Sequence, residues 1–173
     1  ANPSDLTVGP DGNLWFVDQG NFGISGPYQI GRVTPDGTIT LFPSQTQWPE
    51  GIAAGPDGNL WYVNHLGVPR ELGRITPDGT VSVFDIPTTI TDLVTGSDGN
   101  LWGTVSELFF VPPMGPQVYI GALARIDTST GAVTKFYPPG GGLELPQAIT
   151  SGPDGALWFA DSRTGRVWRA EPS

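Results

Sequence analysis

The chain has 173 residues, no cysteine and a formal net charge of −9. The lack of cysteine excludes disulfides and thiolate metal sites. Its 8 Lys and Arg residues are too few for the basic surface that nucleic acid or an anionic membrane requires. No apolar run approaches the roughly 20 residues of a membrane-spanning helix. With 38% hydrophobic residues, the chain can form a single domain with a sizeable core.

A turn followed by an aromatic strand occurs four times. The copies read GPDGNLWFVD at 9–18, GPDGNLWYVN at 55–64, GSDGNLW at 96–102 and GPDGALWFAD at 152–161. In three of the turns proline presets φ, and in all four aspartate bonds its own backbone and glycine takes the positive φ. The aromatic run that follows predicts a buried strand. Each copy therefore indicates a hairpin corner and a strand.

A second hairpin alternates with the first, at residues 31–42, 73–84, 124–136 and, in shortened form, 165–169. The two hairpins together make a four-stranded unit, and a repeat of about 40–45 residues with four strands is typical of a propeller blade. We therefore predict an all-β propeller-type array of four blades in a single domain, 1–173. The blades are expected at about 4–43, 51–87, 91–138 and 147–173.

The last blade is predicted to lack its outermost strand, because only Glu171, Pro172 and Ser173 follow its third strand. A bare strand edge favours pairing. Four blades could close a small ring, several chains could complete a larger ring, edges could polymerise, or the chain could be a piece of a longer protein. We expect a homo-oligomer or polymer through the open blade edge.

Two further features bear on partners and location. Residues 106–118 of blade three predict a long loop whose apolar segment covers the seam or meets a partner chain. The chain begins Ala-Asn-Pro-Ser without an initiator Met or a signal peptide. That start is typical of a mature secreted chain or an excised fragment, so we expect an extracellular or cell-surface protein.

The repeated phrase GPDGNLWF, followed by IGRVTPDGTIT at 30–40, resembles the streptogramin (virginiamycin B) lyase family of β-propellers. The resemblance covers nearly the whole chain. It implies a ring of seven blades, longer than this chain. It also implies a catalytic histidine in a Pro-His-Gly or Pro-His-Ala phrase and glutamates that hold Mg²⁺. The matching phrases here carry Glu50 and Gln147 in place of that histidine.

The positions that match the family's glutamates are also changed. In the family, one glutamate lies at the second position before the histidine. The two matching positions in this chain hold Trp48 and Leu145. Those at the end of the second strand are Asp18, Asn64, Val105 and Asp161.

Candidate site residues lie in the loops that a propeller gathers on one face, opposite its hairpin turns. His65, the sole histidine, is the natural general base, or else an ordinary surface residue. Acidic residues of this face could bind a hard cation, Mg²⁺ or Ca²⁺, through their carboxylate oxygens. The alternative is that they are ordinary solvated carboxylates. The candidate ligands are Asp18 and Asp161, joined by Glu50 and Glu144. The candidate ligand-binding residues are Tyr28, Trp48, Glu50, His65 and Tyr119.

We therefore predict a non-catalytic, secreted or surface propeller that acts as a binding or self-assembling structural module. The alternative is a streptogramin lyase-like, metal-dependent C–O lyase that acts on a cyclic ester. In that alternative, His65 is the base and Asp18 or Asp161 holds the metal.

Overall fold

The computed structural model describes residues 2–20, 27–64, 69–110, 115 and 117–172. These residues form fifteen β-strands, and none of the segments described is a helix long and apolar enough to cross a membrane. The strands are β1 (Pro3–Val8), β2 (Leu14–Asp18), β3 (Gln29–Val33), β4 (Ile39–Pro43), β5 (Pro49–Ala54), β6 (Leu60–Asn64), β7 (Glu71–Ile75), β8 (Val81–Asp85), β9 (Ile90–Thr95), β10 (Leu101–Phe110), β11 (Gln117–Ile126), β12 (Val133–Phe136), β13 (Pro146–Ser151), β14 (Leu157–Asp161) and β15 (Arg166–Ala170).

The strands form four antiparallel sheets in chain order: β1 to β4, β5 to β8, β9 to β12, and β13 to β15. The first strands of neighbouring sheets contact each other, β1 with β5, β5 with β9 and β9 with β13. This arrangement confirms the predicted propeller of four blades, the last with three strands. Within the described residues no comparable contact joins β13 to β1, so the blades form an open arc.

Each turn aspartate accepts a hydrogen bond from the tryptophan of its own repeat. The indole Nε1 donates to Oδ1 of the aspartate at 3.0–3.1 Å in all four blades, through the pairs Trp15–Asp11, Trp61–Asp57, Trp102–Asp98 and Trp158–Asp154. The indole lies against the glycine that opens the turn, where a Cβ on Gly9 would come within 2.4 Å of Trp15. The phrase therefore repeats because turn, glycine and tryptophan form one packed unit.

The core consists of three apolar layers, one between each pair of neighbouring blades. Trp15 and Val17 of blade one pack with Ile52 and Tyr62 of blade two. The second layer joins blades two and three around Trp61 and Leu101, and the third joins blades three and four around Trp102, Leu123, Leu157 and Phe159. A blade is thus stabilised mainly by its neighbours, as expected for a repeat that cannot bury its own faces.

Arg32, the arginine of the second hairpin in blade one, links that blade to blade two. Nη1 of Arg32 donates to the carbonyl of Pro77 in the next blade at 2.9 Å. Its guanidinium also lies 5.7 Å from the ring centroids of Trp15 and Phe42. Arg74 and Arg125 lie over aromatic rings of their own blades in the same way, at 5.3–5.8 Å, so this arginine repeats for a structural reason.

The prediction of a loop over residues 106–118 is wrong for 106–110 and 117–118, which are strand. β10 and β11 continue as a hairpin in unbroken register, from Ser106 opposite Gly121 to Phe110 opposite Gln117. Apolar cross-strand pairs such as Phe109 with Val118 stabilise this extension beyond the body of the blade. Residues 111–114 and 116 lie outside the described residues.

Candidate functional site at the axial mouth

The four innermost strands begin at one end of the propeller axis, where they surround a small cavity. The cavity has a volume of about 290 Å³. One position of the repeat supplies four lining residues, one from each blade, and the next position along the strand adds one residue from each of blades one to three. The lining residues are Ser4, Asp5, Glu50, Gly51, Thr91, Asp92 and Gln147. We call this cavity the axial mouth.

Two aspartates of the axial mouth hold neighbouring blades together. In Asp5, Oδ1 accepts the N–H of Leu6 and Oδ2 accepts the N–H of Ile52 in the next blade, both at 2.8 Å. In Asp92, Oδ1 accepts the N–H of Leu93 at 2.8 Å and Oδ2 accepts that of Ile149 at 2.9 Å. Each carboxylate therefore joins the inner strand of its own blade to the inner strand of the next.

The electrostatics of the axial mouth favour a proton on Asp92. Burial raises the pKa of Asp92 to about 6, and the negative charges of Asp5 and Glu50 also raise it. The backbone N–H groups of Ile149 and Leu93 act in the opposite direction. A carboxyl group with this pKa changes charge near neutral pH, which is an ability shared by general acids and bases.

Thr91 adds a second link between blades three and four. Its Oγ1 donates to the carbonyl of Pro146 at 2.8 Å and lies 2.8 Å from Oγ1 of Thr104. The hydroxyl is buried in this contact, so it orients the strands instead of facing the cavity as a free donor.

The predicted metal ligands Asp18 and Asp161 are both buried and bond to backbone amides. Oδ1 of Asp18 accepts the N–H groups of Asn2 at 2.6 Å and Gly20 at 3.0 Å. Asp161 accepts four N–H groups, from Glu144, Leu145, Arg163 and Thr164, at 2.8–3.3 Å. Burial raises the pKa of Asp161, but these bonds outweigh it, so the pKa lies below its usual value.

These contacts do not fit a Mg²⁺ site. Oδ1 of Asp18 and both carboxylate oxygens of Asp161 already accept amide protons, and Oε2 of Glu144 pairs with Arg163 at 2.6 Å. Among the described residues, no three His, Cys, Asp or Glu side chains are grouped so that they could hold a metal. The two aspartates instead close the loops at the ends of β2 and β14.

The predicted ligand-binding residues fall into separate places. Tyr28 and Trp48 form a tilted ring pair with centroids 5.3 Å apart, and Glu50 lines the axial mouth. Tyr119 lies on the β10–β11 hairpin, 4.6 Å below the guanidinium of Arg163 in blade four. His65 lies outside the described residues.

Sequence reasoning missed Asp5 and Asp92. A signal for them is present, because both follow a hydroxyl residue at the same position of the repeat, as Ser4-Asp5 and Thr91-Asp92. The bonds to Ile52 and Ile149 depend on how neighbouring blades face each other. That information appears only once the blades are assembled.

Comparison with known proteins supports the family that the repeated sequence phrases resemble. The sequence profile of the Virginiamycin B lyase family matches residues 1–109. Virginiamycin B lyase from Staphylococcus aureus is 27% identical over 99% of this chain, with a TM-score of 0.68. A catalytically inactive form of that enzyme with quinupristin is 28% identical over 98%, with a TM-score of 0.67. The comparison with curated protein sequences gives no match.

More distant structures share the fold alone, such as a putative gluconolactonase at 18% identity with a TM-score of 0.68, aligned over 98% of this chain and 58% of its own. The chain spans just over half of the lyase structures, 56% of the first and 55% of the second. The family profile nevertheless covers more than half of this chain. The chain belongs to the virginiamycin B lyase family.

Proposed function

We propose that this chain is a non-catalytic binding and structural module of the virginiamycin B lyase family, acting outside the cell or at its surface. The observation that carries the proposal is the bonding of Asp5 and Asp92. Each carboxylate accepts one N–H of its own strand and one of the next blade. Carboxylates held in this way connect blades and have little freedom to take part in a reaction.

The side chains beside these aspartates support the same proposal. The positions that match the histidine phrase carry Glu50, which is half-buried, and Gln147, which is exposed. The amide of Gln147 neither gains nor loses a proton near neutral pH, so it cannot serve as a general base.

A lyase-like activity is the second candidate, and the identity to virginiamycin B lyase favours it. In that reaction a base removes a proton beside the ester, the C–O bond breaks, and an alkene and a free carboxylate form. In this chain His65 would supply the base. Asp18 and Asp161 are poorly suited to hold a metal because backbone amides bond to Oδ1 of Asp18 and to both oxygens of Asp161.

Incubation with quinupristin and Mg²⁺ tests the proposal. Ring opening by elimination leaves the mass unchanged, so the linear product is separated by reversed-phase chromatography and identified by fragmentation. We expect no Mg²⁺-dependent product above the protein-free control. Turnover that requires Mg²⁺ and is lost in His65→Ala would overturn the non-catalytic assignment and establish the lyase.

We further propose that a second copy packs on the open face of blade one. Leu6, Val8 and Ile39 on this face are 65%, 63% and 61% exposed. The equivalent residues of blade two, Ile52, Ala54 and Val81, belong to the core layer between blades one and two.

The second copy offers a matching surface in the open face of its own blade four. In blade one, Trp15 and Arg32 lie on the face that packs against blade two. Trp158 and Arg169 occupy the equivalent positions on the open face of blade four. The contact would be head-to-tail, so it would build a ring if the rotation closes and a filament if it does not.

A further inference from the structure

The β10–β11 hairpin projects beyond the other strands of blade three, on the face of the loops that join the blades. β9 pairs with β10 as far as Val105, and β12 pairs with β11 as far as Leu123. Pairing between β10 and β11 continues through residues 107–110 and 117–120, which we call the hairpin extension. At about 3.3 Å per residue, these four further residues of each strand project roughly 13 Å from the body of the blade.

The hairpin extension stands between two blades that are both present in the chain. On one side, Oγ1 of Thr88, in the connection from blade two, donates to Oε1 of Glu107 at 2.7 Å. On the other side, the ring of Tyr119 lies 4.6 Å from the guanidinium of Arg163 in blade four. One face of the extension is therefore turned toward blade two and the other toward blade four.

Apolar side chains are exposed on both faces of the hairpin extension. Opposite residues of an antiparallel pair share a face, and successive residues alternate. On the face toward blade two, Phe109, Val118 and Ile120 are 48%, 40% and 39% exposed. On the face toward blade four, Leu108 is 40% exposed. The remaining exposed large apolar side chains of the described chain lie in blade one or in and beside β15, so the extension is a separate apolar surface.

Charged residues lie at the base of the hairpin extension and are absent beyond it. The sequence has no charged residue over positions 108–124. At the base, Nζ of Lys135 pairs with Glu107 at 2.9 Å, and Nε of Arg163 pairs with Glu144 at 2.6 Å. An apolar projection above a charged base matches the order of layers in a bilayer, in which hydrocarbon lies beneath polar headgroups.

We propose that the hairpin extension inserts into the interface of a lipid bilayer with zwitterionic headgroups, such as phosphatidylcholine. Interfacial elements bury their apolar side chains about 5–10 Å into the headgroup and acyl boundary, a depth within the reach of this extension. A bilayer surrounds what inserts into it and so covers both apolar faces, whereas a folded partner would cover one. The net charge of −9 opposes binding to an anionic surface. The proposal extends beyond the non-catalytic assignment and does not depend on it.

Sedimentation with sucrose-loaded phosphatidylcholine vesicles tests the proposal. We expect the parent chain to bind with an affinity that hardly changes with salt concentration, because the inserted surface is uncharged. Phe109→Asp and Val118→Asp should each weaken binding about ten-fold or more, because each replaces an inserted apolar side chain by a charge. Val167→Asp is the matched control: it makes the same change at a 69% exposed valine of β15 and should bind like the parent chain.

A fluorescent label tests the orientation of the chain on the vesicle. Because the sequence has no cysteine, one introduced cysteine can carry a polarity-sensitive fluorophore at a single place. Val118→Cys places the label in the hairpin extension, and Ala132→Cys places it in the exposed turn at the other end of β11. With vesicles, emission from position 118 should shift to shorter wavelength, and emission from position 132 should not change. This measurement does not require the aspartate variants to fold.

Cooperative urea unfolding of the aspartate variants shows that they retain the fold. The proposal would be overturned if the parent chain failed to bind phosphatidylcholine vesicles, or bound only when anionic lipid was added. Equal losses in Phe109→Asp and Val167→Asp, or a spectral shift from position 132 alone, would overturn it too. Self-association without lipid that Phe109→Asp abolishes would place a second copy on the hairpin extension, which also contradicts the proposal.

Discussion

The carboxylate of Asp92 accepts the backbone N–H of Ile149 at 2.9 Å and so joins the inner strands of blades three and four. Asp5 makes the equivalent bond to Ile52 at 2.8 Å between blades one and two. The equivalent positions of blades two and four hold Gly51 and Ala148. The arc is therefore connected at its axis by carboxylates of alternate blades, and the axial mouth gains its negative charge from residues with a structural role.

The first prediction concerns the pH dependence of stability. Burial raises the pKa of Asp92 from 3.8 to about 6. The folded chain therefore binds more protons than the unfolded chain between about pH 4 and pH 6, and the contribution of Asp92 to stability falls as the pH rises through that window. In Asp92→Asn this contribution is absent. The free energy of unfolding of the parent chain, minus that of the variant, should decrease by roughly 2 kcal/mol from pH 4 to pH 7.

Urea unfolding of both proteins across this pH range provides the measurement. Carboxylates remote from Asp92 affect both proteins equally, so the difference reports Asp92 together with its coupling to Asp5 and Glu50. A difference that stays constant, or grows with pH, would contradict the assigned shift.

The second prediction concerns the bond between turn and tryptophan. Asp57→Ala removes the acceptor of the Trp61 indole at 3.1 Å and of the Asn59 amide at 2.8 Å. Trp61 is fully buried, so its N–H would lose its partner away from water. We expect a loss of about 2–3 kcal/mol in the free energy of unfolding.

Asp78→Ala is the control, because Asp78 occupies the corresponding turn of the second hairpin and, among the described residues, bonds local groups alone, Thr76 and Thr80. Its loss should be about 1 kcal/mol. Equal losses in the two variants would show that the indole bond adds nothing to the turn.

The third prediction concerns the open face of blade one. Val8→Asp places a charge among the exposed apolar side chains of this face, including Leu6 and Ile39. If a second copy packs there, light scattering should show a mass above the monomer for the parent chain and a monomer for the variant. Unfolding should change little, because Val8 is 63% exposed.

Val118→Asp is the matched control, since Val118 is also exposed but lies on the β10–β11 hairpin. It should retain the mass of the parent chain. A parent chain that stays monomeric at all concentrations would exclude a second copy on blade one.

The repeats predicted the fold well because each carries its own turn, aromatic strand and glycine. Residues 106–110 and 117–118 were misjudged because the proline-rich segment between them suggested a loop, whereas the cross-strand partners of Ser106–Phe110 are visible only in the pairing with β11. The same limit applies to the site. Asp18 and Asp161 could be placed at strand ends, but amides that bond to them come from Asn2, Gly20 and the loop before β13.

The central claim is that the carboxylates of the axial mouth hold blades together and do not form a metal site. Carboxyl ¹³C resonances of Asp5, Glu50 and Asp92, followed during addition of Mn²⁺ as a paramagnetic substitute for Mg²⁺, test it most directly. We predict no selective broadening of these three signals up to about 1 mM metal, the weak end of the range for protein sites that bind hard cations. Selective broadening of Asp92 and Glu50 at lower Mn²⁺, reversed by excess Mg²⁺, would contradict the claim.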